Sequence, residues 1–270
     1  MKNIYLIPDR HNLEQSLQMK KEYGNAWEYN DFFMPEVLSD VKKQMEIINC
    51  YAAVHSDFSE DTMHGAFLDV TLHSDDPMVR EASVLRVYQS MDIAREMGLK
   101  GVVFHTGRLP GYQSELYLNN WRQRNVFFLK NMLEQYPNQD IYLENMFDYE
   151  PDIVAELAEE LSVYHNFGIC LDYAHIGLFG TSVDDWLDKL APYIKHLHIN
   201  DNDDIRDSHL AVGSGKTDWQ AYQKQMQKYQ VDATVLIEVN GFDKQKNSLN
   251  YMKQNYIWPF SGEAGEAGEA

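Results

Sequence analysis

Short apolar segments alternate along the chain with longer segments that have helical spacing. The apolar segments are rich in β-branched and aromatic residues, which is typical of buried β-strands. They lie at residues 3–7, 26–30, 62–67, 101–105, 140–144, 168–172, 194–199 and 233–239. Between the third and fourth of these, Val84, Val87, Met91 and Ala94 share one face of a helix predicted over 80–98 and ending at Gly98. Eight strands alternating with eight helices predict an α/β protein with a single (β/α)8 TIM barrel.

The domain organisation follows from the evenness of this pattern. A doubly wound open sheet is the alternative fold, but it would call for a glycine-rich turn after the first strand, and "IPDRHN" at 7–12 is not one. No linker or internal repeat interrupts residues 1–258, so we expect one domain there. Residues 259–270 end in "GEAGEAGEA" and are interpreted as a low-complexity tail.

The formal net charge of −19 argues against a nucleic-acid partner, because binding DNA or RNA requires Lys and Arg to neutralise many phosphates. No apolar run reaches the roughly 20 residues that span a bilayer, and the N-terminus has no signal-peptide pattern. Cys50 and Cys170 both stand in apolar surroundings and are interpreted as buried thiols, as expected for a cytoplasmic protein. The oligomeric state stays open, with a homo-oligomer among the alternatives.

Metal-binding side chains stand at or just beyond the ends of six successive predicted strands, the third to the eighth. These residues are His64, His105, Glu144, Asp172, His175, His198, Asp207, His209 and Glu238. The active sites of such barrels form at the carboxyl ends of the strands, so we expect all nine side chains at one rim. A carboxylate that ends an apolar strand is costly to bury unless it is paired or bound to metal, which singles out Glu144 and Glu238.

Other polar residues favour structural roles. His196 lies two residues before His198 on the same strand face and is interpreted as a packing or supporting residue deeper in the barrel. His55 and His73 precede acidic residues in predicted loops and are expected to be solvated. The segment "GSGKT" at 213–217 is not a phosphate-binding loop, because Leu210 stands where that motif requires glycine. Its glycines would instead allow a tight turn before a helix capped by Asp218.

Taken together, seven motifs resemble the xylose isomerase-like barrel superfamily, which includes sugar phosphate isomerases and epimerases and the endonuclease IV family. The motifs are "HGAFLDV", "VVFHTG", "YLENMFD", "GICLDYAH", "HLHIND", "RDSHLAVGSGKTDW" and "VLIEVNG". In the isomerase branch, the resemblance implies one divalent ion on Glu144, Asp172, His198 and Glu238. The two glutamates would also move protons, and His175 would contact the substrate.

In the endonuclease IV branch, the resemblance implies that the same nine side chains hold three zinc ions. One ion would take His64, His105 and Glu144, and a second would share Glu144 with Asp172, His198 and Glu238. The third would take His175, Asp207 and His209. The cofactor is therefore expected to be a divalent metal ion, zinc or manganese, with one to three per chain.

Departures from the endonuclease IV pattern favour the isomerase branch. The first strand lacks that family's His-Val-Ser opening, the sixth carries "DYAH" where Asp-Thr-Cys-His is typical, and the loop after the seventh has few basic residues. We therefore predict a metal-dependent sugar or sugar phosphate isomerase or epimerase that transfers protons through an enediolate. A zinc-dependent phosphodiester hydrolase acting on abasic DNA is the alternative, and a non-catalytic sugar- or metal-binding barrel is a third hypothesis.

The substrate pocket is expected to draw on the second strand and on the rim. Candidate substrate-binding residues are Trp27, Asn30, Phe32, Arg206 and Lys216, with Tyr29 and Phe147 as further candidates for the pocket wall. Core packing is an equally good interpretation of the aromatic residues. Arg108, Arg206 and Lys216 could meet a phosphate group, although solvation at the surface is the simpler interpretation of each.

Overall fold

A computed structural model describes residues 4–260, which contain a closed barrel of eight parallel strands. Each strand pairs with the next one in the chain, and the eighth pairs with the first, as in Tyr5 with Leu236. This closure excludes the doubly wound alternative and confirms the (β/α)8 prediction. The strands are β1 Ile4–Leu6, β2 Ala26–Tyr29, β3 Thr62–His64, β4 Gly101–His105, β5 Asp140–Glu144, β6 Phe167–Asp172, β7 Ile194–Ile199 and β8 Thr234–Ile237.

Residues 4–260 contain ten α-helices and one 3-10 helix at Ala191–Tyr193, rather than eight helices; the tenth α-helix follows the last strand. The helices are α1 Leu13–Tyr23, α2 Pro35–Leu38, α3 Val41–Ala52, α4 Pro77–Met97, α5 Glu115–Gln135, α6 Asp152–Leu161, α7 Tyr173–Phe179, α8 Val183–Leu190, α9 Trp219–Lys228 and α10 Phe242–Gln254. The additional helices, α2 and α7, are too short to show a helical period in the sequence.

The predicted helix ends are present. Gly98 ends α4 with a left-handed φ of 71°, which a residue with a side chain seldom adopts. Ser182 accepts a hydrogen bond from the backbone N–H of Asp185 at the start of α8, and Asp218 caps α9 in the same way. These caps fix where each helix departs from the rim and therefore how the loops above the barrel are held.

Both faces of the strands are buried, and successive side chains alternate between the outward and the inward face. Outward-facing residues such as Leu143 and Leu197 pack against the helices in the main hydrophobic core. Inward-facing residues are apolar in part, as at Tyr142 and Cys170, but the inner face also carries charged side chains. Those charged side chains occupy the barrel interior from its middle to its carboxyl-terminal rim.

Two histidines that were expected to be solvated are not. His55 places Nε2 at 2.7 Å from Oδ2 of Asp61, a buried carboxylate at the start of β3. His73 is only 4% exposed, and its Nε2 lies 3.1 Å from the hydroxyl of Tyr117. The acidic neighbours in sequence were misleading because both loops fold back over the core. Cys50 is also different from expectation, being half-buried, whereas Cys170 is buried and both thiols are free.

Burial of His73 predicts a specific loss of stability in acid. Burial is the main cause that lowers its pKa to about 4, so between pH 6.5 and 4 the unfolded chain binds more protons than the native one. The contribution of neutral His73 is therefore complete above pH 6.5 and is lost as the pH falls towards 4. We expect the stability difference between wild type and His73→Gln to change by roughly 1–2 kcal/mol from pH 7 to pH 5. Urea unfolding of both proteins at the two pH values measures this; an unchanged difference contradicts it.

One residue of the predicted tail packs against the barrel domain. Phe260, placed by the sequence in the tail, is 1% exposed and belongs to the main core. Residues 1–3 and the remaining tail, 261–270, lie outside the described residues. No helix among residues 4–260 has the length and apolar character required to cross a membrane.

Candidate metal centre

One group of metal-capable atoms lies at the ends of β3, β4 and β5. Nε2 of His64 and Nε2 of His105 are 3.1 Å apart, and they lie 3.5 and 3.3 Å from Oε2 of Glu144. The ligand atoms of the three residues all lie within 4.8 Å of one another. Two imidazole nitrogens and a carboxylate at such distances can be bridged by one small cation.

A second group shares Glu144 and extends to β6, β7 and β8. Nδ1 of His198 lies 3.1 Å from Oε1 of Glu144 and 3.6 Å from Oε2 of Glu238. With Asp172, these residues form a four-residue set whose ligand atoms all lie within 4.8 Å of one another. Asp172 and His198 have no exposed surface, Glu144 is 1% exposed and Glu238 is 9% exposed. Glu238 therefore stands at the mouth of the set and Glu144 at its floor.

The remaining three predicted residues adjoin this set. His175, on α7, places Nε2 at 3.3 Å from Oδ2 of Asp207, and the same oxygen lies 3.0 Å from Nε2 of His209. Nδ1 of His175 is 3.8 Å from Oε1 of Glu144, which links the three to the rest. The structure thus brings all nine predicted side chains into one connected cluster.

Three of the histidines are oriented by the backbone. Nδ1 of His64 donates to the carbonyl of Gly65, Nδ1 of His175 to that of Asn145, and Nδ1 of His209 to that of Glu238. Because a carbonyl oxygen can only accept, Nδ1 carries the proton in each, and Nε2 is directed towards the cluster. Outer hydrogen bonds of this kind are typical of metal-binding histidines.

The electrostatics of the cluster indicate a site built for a cation. Burial would raise the pKa of Glu144, but the charges of His198 and His105 outweigh it and hold that pKa well below its usual value. Burial is the main cause that raises the pKa of Asp172 to about 7. Within the described residues, Oε2 of Glu144, Oδ2 of Asp172 and Oε2 of Glu238 are buried without a hydrogen-bond donor. Such oxygens are costly to bury, and a divalent cation would satisfy all three.

Burial also acts on the two histidines nearest Asp207. It lowers the pKa of His175 and of His209, but nearby carboxylates outweigh it and raise these pKa values to about 10 and about 9. The outweighing groups are chiefly Asp172 for His175 and Asp207 for His209. A cation at the cluster would compete with these protons, because a histidine must lose the proton on the nitrogen that binds.

Asp201 stabilises the loop that carries Asp207 and His209. Its buried carboxylate accepts hydrogen bonds from the backbone N–H groups of Gly213 and Thr217 and from Nε1 of Trp219. Gly213 has a φ of 84°, and a Cβ on Gly215 would collide with the backbone oxygen of Asn202. The "GSGKT" segment is therefore a tight turn, and its glycines have a structural rather than a phosphate-binding reason.

Two predicted pocket residues do not reach the cluster. Trp27 and Phe32 have no exposed surface, and both pack in the main core between the barrel and its helices. Side chains alternate along β2, so Trp27 and Tyr29 face outward while Glu28, between them, faces inward. Phe33 lies near His64 instead, with ring centroids 6.2 Å apart, and Phe67 lies 4.7 Å from the ring of His105. Phe33 follows the predicted Phe32 by one position, whereas Phe67 was not among the predicted pocket residues.

Asn30 keeps the inward direction of Glu28 and lines a cavity of about 290 Å³ with residues that follow β1 and β8, including Arg10 and Asn240. Its Oδ1 is buried without a hydrogen-bond partner among the described residues. Asn200, two residues after His198, is fully buried, and its Oδ1 and Nδ2 both have no partner there. Asn200 was missed by the sequence analysis, although its position after His198 on an inward-facing register was a usable signal.

The predicted cations at the rim are not assembled around the cluster. Arg206 is exposed, and Lys216 is exposed with its Nζ 3.8 Å from Asp204. Arg108, expected to be solvated, is buried and lies 3.2 Å from the carboxylate of Asp148. Phe147 is 39% exposed at the rim and packs on Phe179, next to His175.

The sequence and the barrel are similar to those of known proteins. A family model described as "Xylose isomerase-like TIM barrel" matches residues 29–255. The chain belongs to this family. Among curated proteins, an uncharacterized protein of Methanocaldococcus jannaschii, MJ1614, is 29% identical over 241 residues, which is 88% of this chain and 89% of the relative.

Two solved structures illustrate the likeness in fold. The TTHB071 protein from Thermus thermophilus, in a crystal soaked with zinc chloride, has a TM-score of 0.74 and 24% identity, covering 93% of this chain and 97% of that one. A D-tagatose 3-epimerase-like protein has a TM-score of 0.70 and 22% identity, covering 96% and 98%. At these identities the likeness concerns the fold.

Proposed function

We propose that the protein is a metal-dependent sugar isomerase or epimerase. The observation that carries the proposal is the four-residue set of Glu144, Asp172, His198 and Glu238 at the rim of the barrel. Two of its carboxylates come from different sides of the rim, one nearly buried and one at the mouth. That arrangement suits a reaction in which a proton leaves one face of a small substrate and is returned to another carbon or another face.

The charges around the set support an uncharged substrate. The chain has a formal net charge of −19, and two arginines of the barrel loops, Arg10 and Arg108, are each paired with an aspartate. A phosphate group would have to compete with those aspartates for the arginines. The resemblance of the fold to a D-tagatose 3-epimerase-like protein agrees with a sugar substrate.

Glu144 and Glu238 are the proposed acid–base pair. A divalent ion, zinc or manganese, would be held by the four-residue set and would supply Lewis-acid stabilisation of negative charge on substrate oxygens. Glu238, at the mouth, can accept the carbon-bound proton, and Glu144 can hold or return a proton at the adjacent carbon. His175, fixed by Asn145 and Asp172, would donate a hydrogen bond to a substrate oxygen.

Substrate hydroxyls require partners in the pocket. Asn30 and Asn200 offer buried amide groups without partners among the described residues, and a sugar hydroxyl can both donate to and accept from an amide. Phe33 and Phe67 offer apolar surface beside His64 and His105 for the carbon face of a sugar ring.

A zinc-dependent phosphodiester hydrolase is the second candidate. It is favoured by the completeness of the nine-residue cluster, since His64, His105, His175, Asp207 and His209 exceed what one ion requires. Several zinc ions would give the site a net positive formal charge, which suits a phosphate group. The paired arginines and the acidic chain argue against a long polyanionic substrate.

The test is a direct comparison of the two activities on protein with known metal content. Purified protein would be loaded with zinc or manganese and incubated in D2O with a panel of ketoses and aldoses, while a parallel sample receives duplex DNA with one abasic site. We expect deuterium in a carbon-bound position of at least one sugar, detected by NMR, and intact DNA. Cleavage of the abasic strand without sugar exchange would contradict the proposal and favour the hydrolase.

A further inference from the structure

Glu28 is a fully buried carboxylate inside the barrel that sequence analysis did not select. It lies in the middle of β2, faces the interior and has no exposed surface. Its Oε2 accepts a hydrogen bond from the hydroxyl of Thr62 at 2.7 Å and lies 3.1 Å from Nε2 of His196. Its Oε1 lies 3.0 Å from Nε2 of His198. Burying a carboxylate costs free energy, so we expect Glu28 to have a role beyond packing.

His198 differs from the other oriented histidines of the cluster. In His64, His175 and His209 a backbone carbonyl binds Nδ1, and Nε2 faces the cluster. In His198 the ring is reversed: Nδ1 is at hydrogen-bonding distance and alignment from Oε1 of Glu144, 3.1 Å away, while Nε2 is directed into the barrel. Nε2 has no aligned hydrogen bond within the described residues, and the charged group beside it is the carboxylate of Glu28, whose Oε1 lies 3.0 Å away.

Carboxylates on both sides of the His198 ring compete for its proton. The carboxylates of Glu144 and Glu238 attract a proton to Nδ1, which would block that nitrogen as a ligand. A negative charge on the opposite side, 3.0 Å from Nε2, attracts a proton to that nitrogen and so favours the tautomer in which Nδ1 keeps its lone pair. Thr62 and His196 hold the Glu28 carboxylate in place from its other oxygen.

We propose that Glu28 is a positioning residue that keeps His198 protonated on Nε2 and thereby presents Nδ1 to the metal centre. This inference rests on the proposed metal centre but not on the sugar reaction. Removal of an outer hydrogen-bond partner of a metal-binding histidine lowers metal affinity by about 10–100-fold. We expect a loss of that size in zinc affinity for Glu28→Gln, because the neutral amide keeps the shape but can also donate to Nε2.

The experiment measures zinc affinity by competition with a chromophoric chelator for wild type, Glu28→Gln and a matched control, Thr234→Val. The control removes a hydroxyl 2.6 Å from Nδ1 of His196, in the same buried network, without a recorded hydrogen bond to Glu28 or His198. A general loosening of the barrel interior would weaken both variants equally. We expect the control to stay within about threefold of wild type, well short of the effect of removing an outer partner.

A second readout reports the orientation of His198 itself, first in wild type and then in the variant. In zinc-loaded wild type, ¹H–¹⁵N NMR should show a slowly exchanging Nε2–H for His198, and Glu28→Gln should shift or lose it. Zinc on Nε2 of His198 in wild type would overturn the proposal even if Glu28→Gln fails to fold. Wild type that binds zinc, with Glu28→Gln binding it equally well, would overturn this inference alone. Wild type that takes up no divalent ion would overturn the metal centre together with this inference.

Discussion

Glu238→Gln should lower the rate of substrate proton exchange by roughly 10²–10⁴-fold while the protein keeps most of its bound metal. Glutamine retains an oxygen at the position of Oε2, near Nδ1 of His198, but it has no basic carboxylate. The backbone carbonyl of Glu238, which orients His209, is untouched by the change. The measurement is exchange of the carbon-bound proton of the substrate with D2O, run beside a metal determination on each sample.

The control for this experiment is Glu115→Gln, which removes the same charge from an exposed position at the start of α5. It should exchange at the wild-type rate. Glu144→Gln should also lose exchange, with a larger loss of metal, because Glu144 belongs to both groups of ligand atoms. If the Glu238 and Glu144 variants keep their metal and exchange like wild type, the two glutamates act as ligands only, and the proposed proton transfer is wrong.

The fold was predictable because its main signal is repeated. Eight apolar segments at regular spacing specify eight strands, and every one of them is present with ends that shift by at most a few residues. The third strand ends at His64 rather than at residue 67, and it is followed by Gly65, where a side chain would collide with Phe104. The helices α2 and α7 were not predicted, because four and seven residues carry too little periodicity.

The candidate site was predictable to the extent that it depends on strand ends. Polar side chains at or just beyond the ends of apolar strands must meet at one rim of a barrel, and this expectation grouped the nine cluster residues. The sequence could not show which nitrogen of each histidine faces the cluster, because that choice depends on carbonyl groups such as those of Gly65 and Asn145.

The interior of the barrel was the part that the sequence concealed. Glu28 stands between Trp27 and Tyr29, and the aromatic neighbours suggested a substrate pocket on β2. Because side chains alternate along a strand, both aromatic rings lie outside the barrel and the carboxylate lies inside. Which set faces inward is fixed by the register of β2 with β3. A single acidic residue in an apolar strand was the available signal, as it was at Glu144.

Asp172→Asn and His64→Asn separate a one-ion site from a site with several ions. The asparagine at 172 can still cap α7 by accepting from the N–H of His175, but it lacks the charge. Loss of one charged partner in a buried site costs about 3–5 kcal/mol, which corresponds to a loss of metal affinity of roughly 10²–10⁴-fold. We expect sugar exchange to fall with it. The measurements are metal content after dialysis and exchange rate at saturating metal.

His64→Asn is the matched comparison, because an asparagine amide can replace the Nδ1–H that donates to Gly65 while removing the Nε2 that faces Glu144. For an isomerase that uses the four-residue set, this variant should retain the ion held by Asp172 and at least about a tenth of the exchange rate, since it removes no member of the acid–base pair. His64 contributes to the four-residue set only through Glu144, which His198 and His105 still contact. Equal and severe losses in both variants, with two or more ions lost together, would show that the groups work as one multinuclear centre. The hydrolase would then be the better account of the nine-residue cluster.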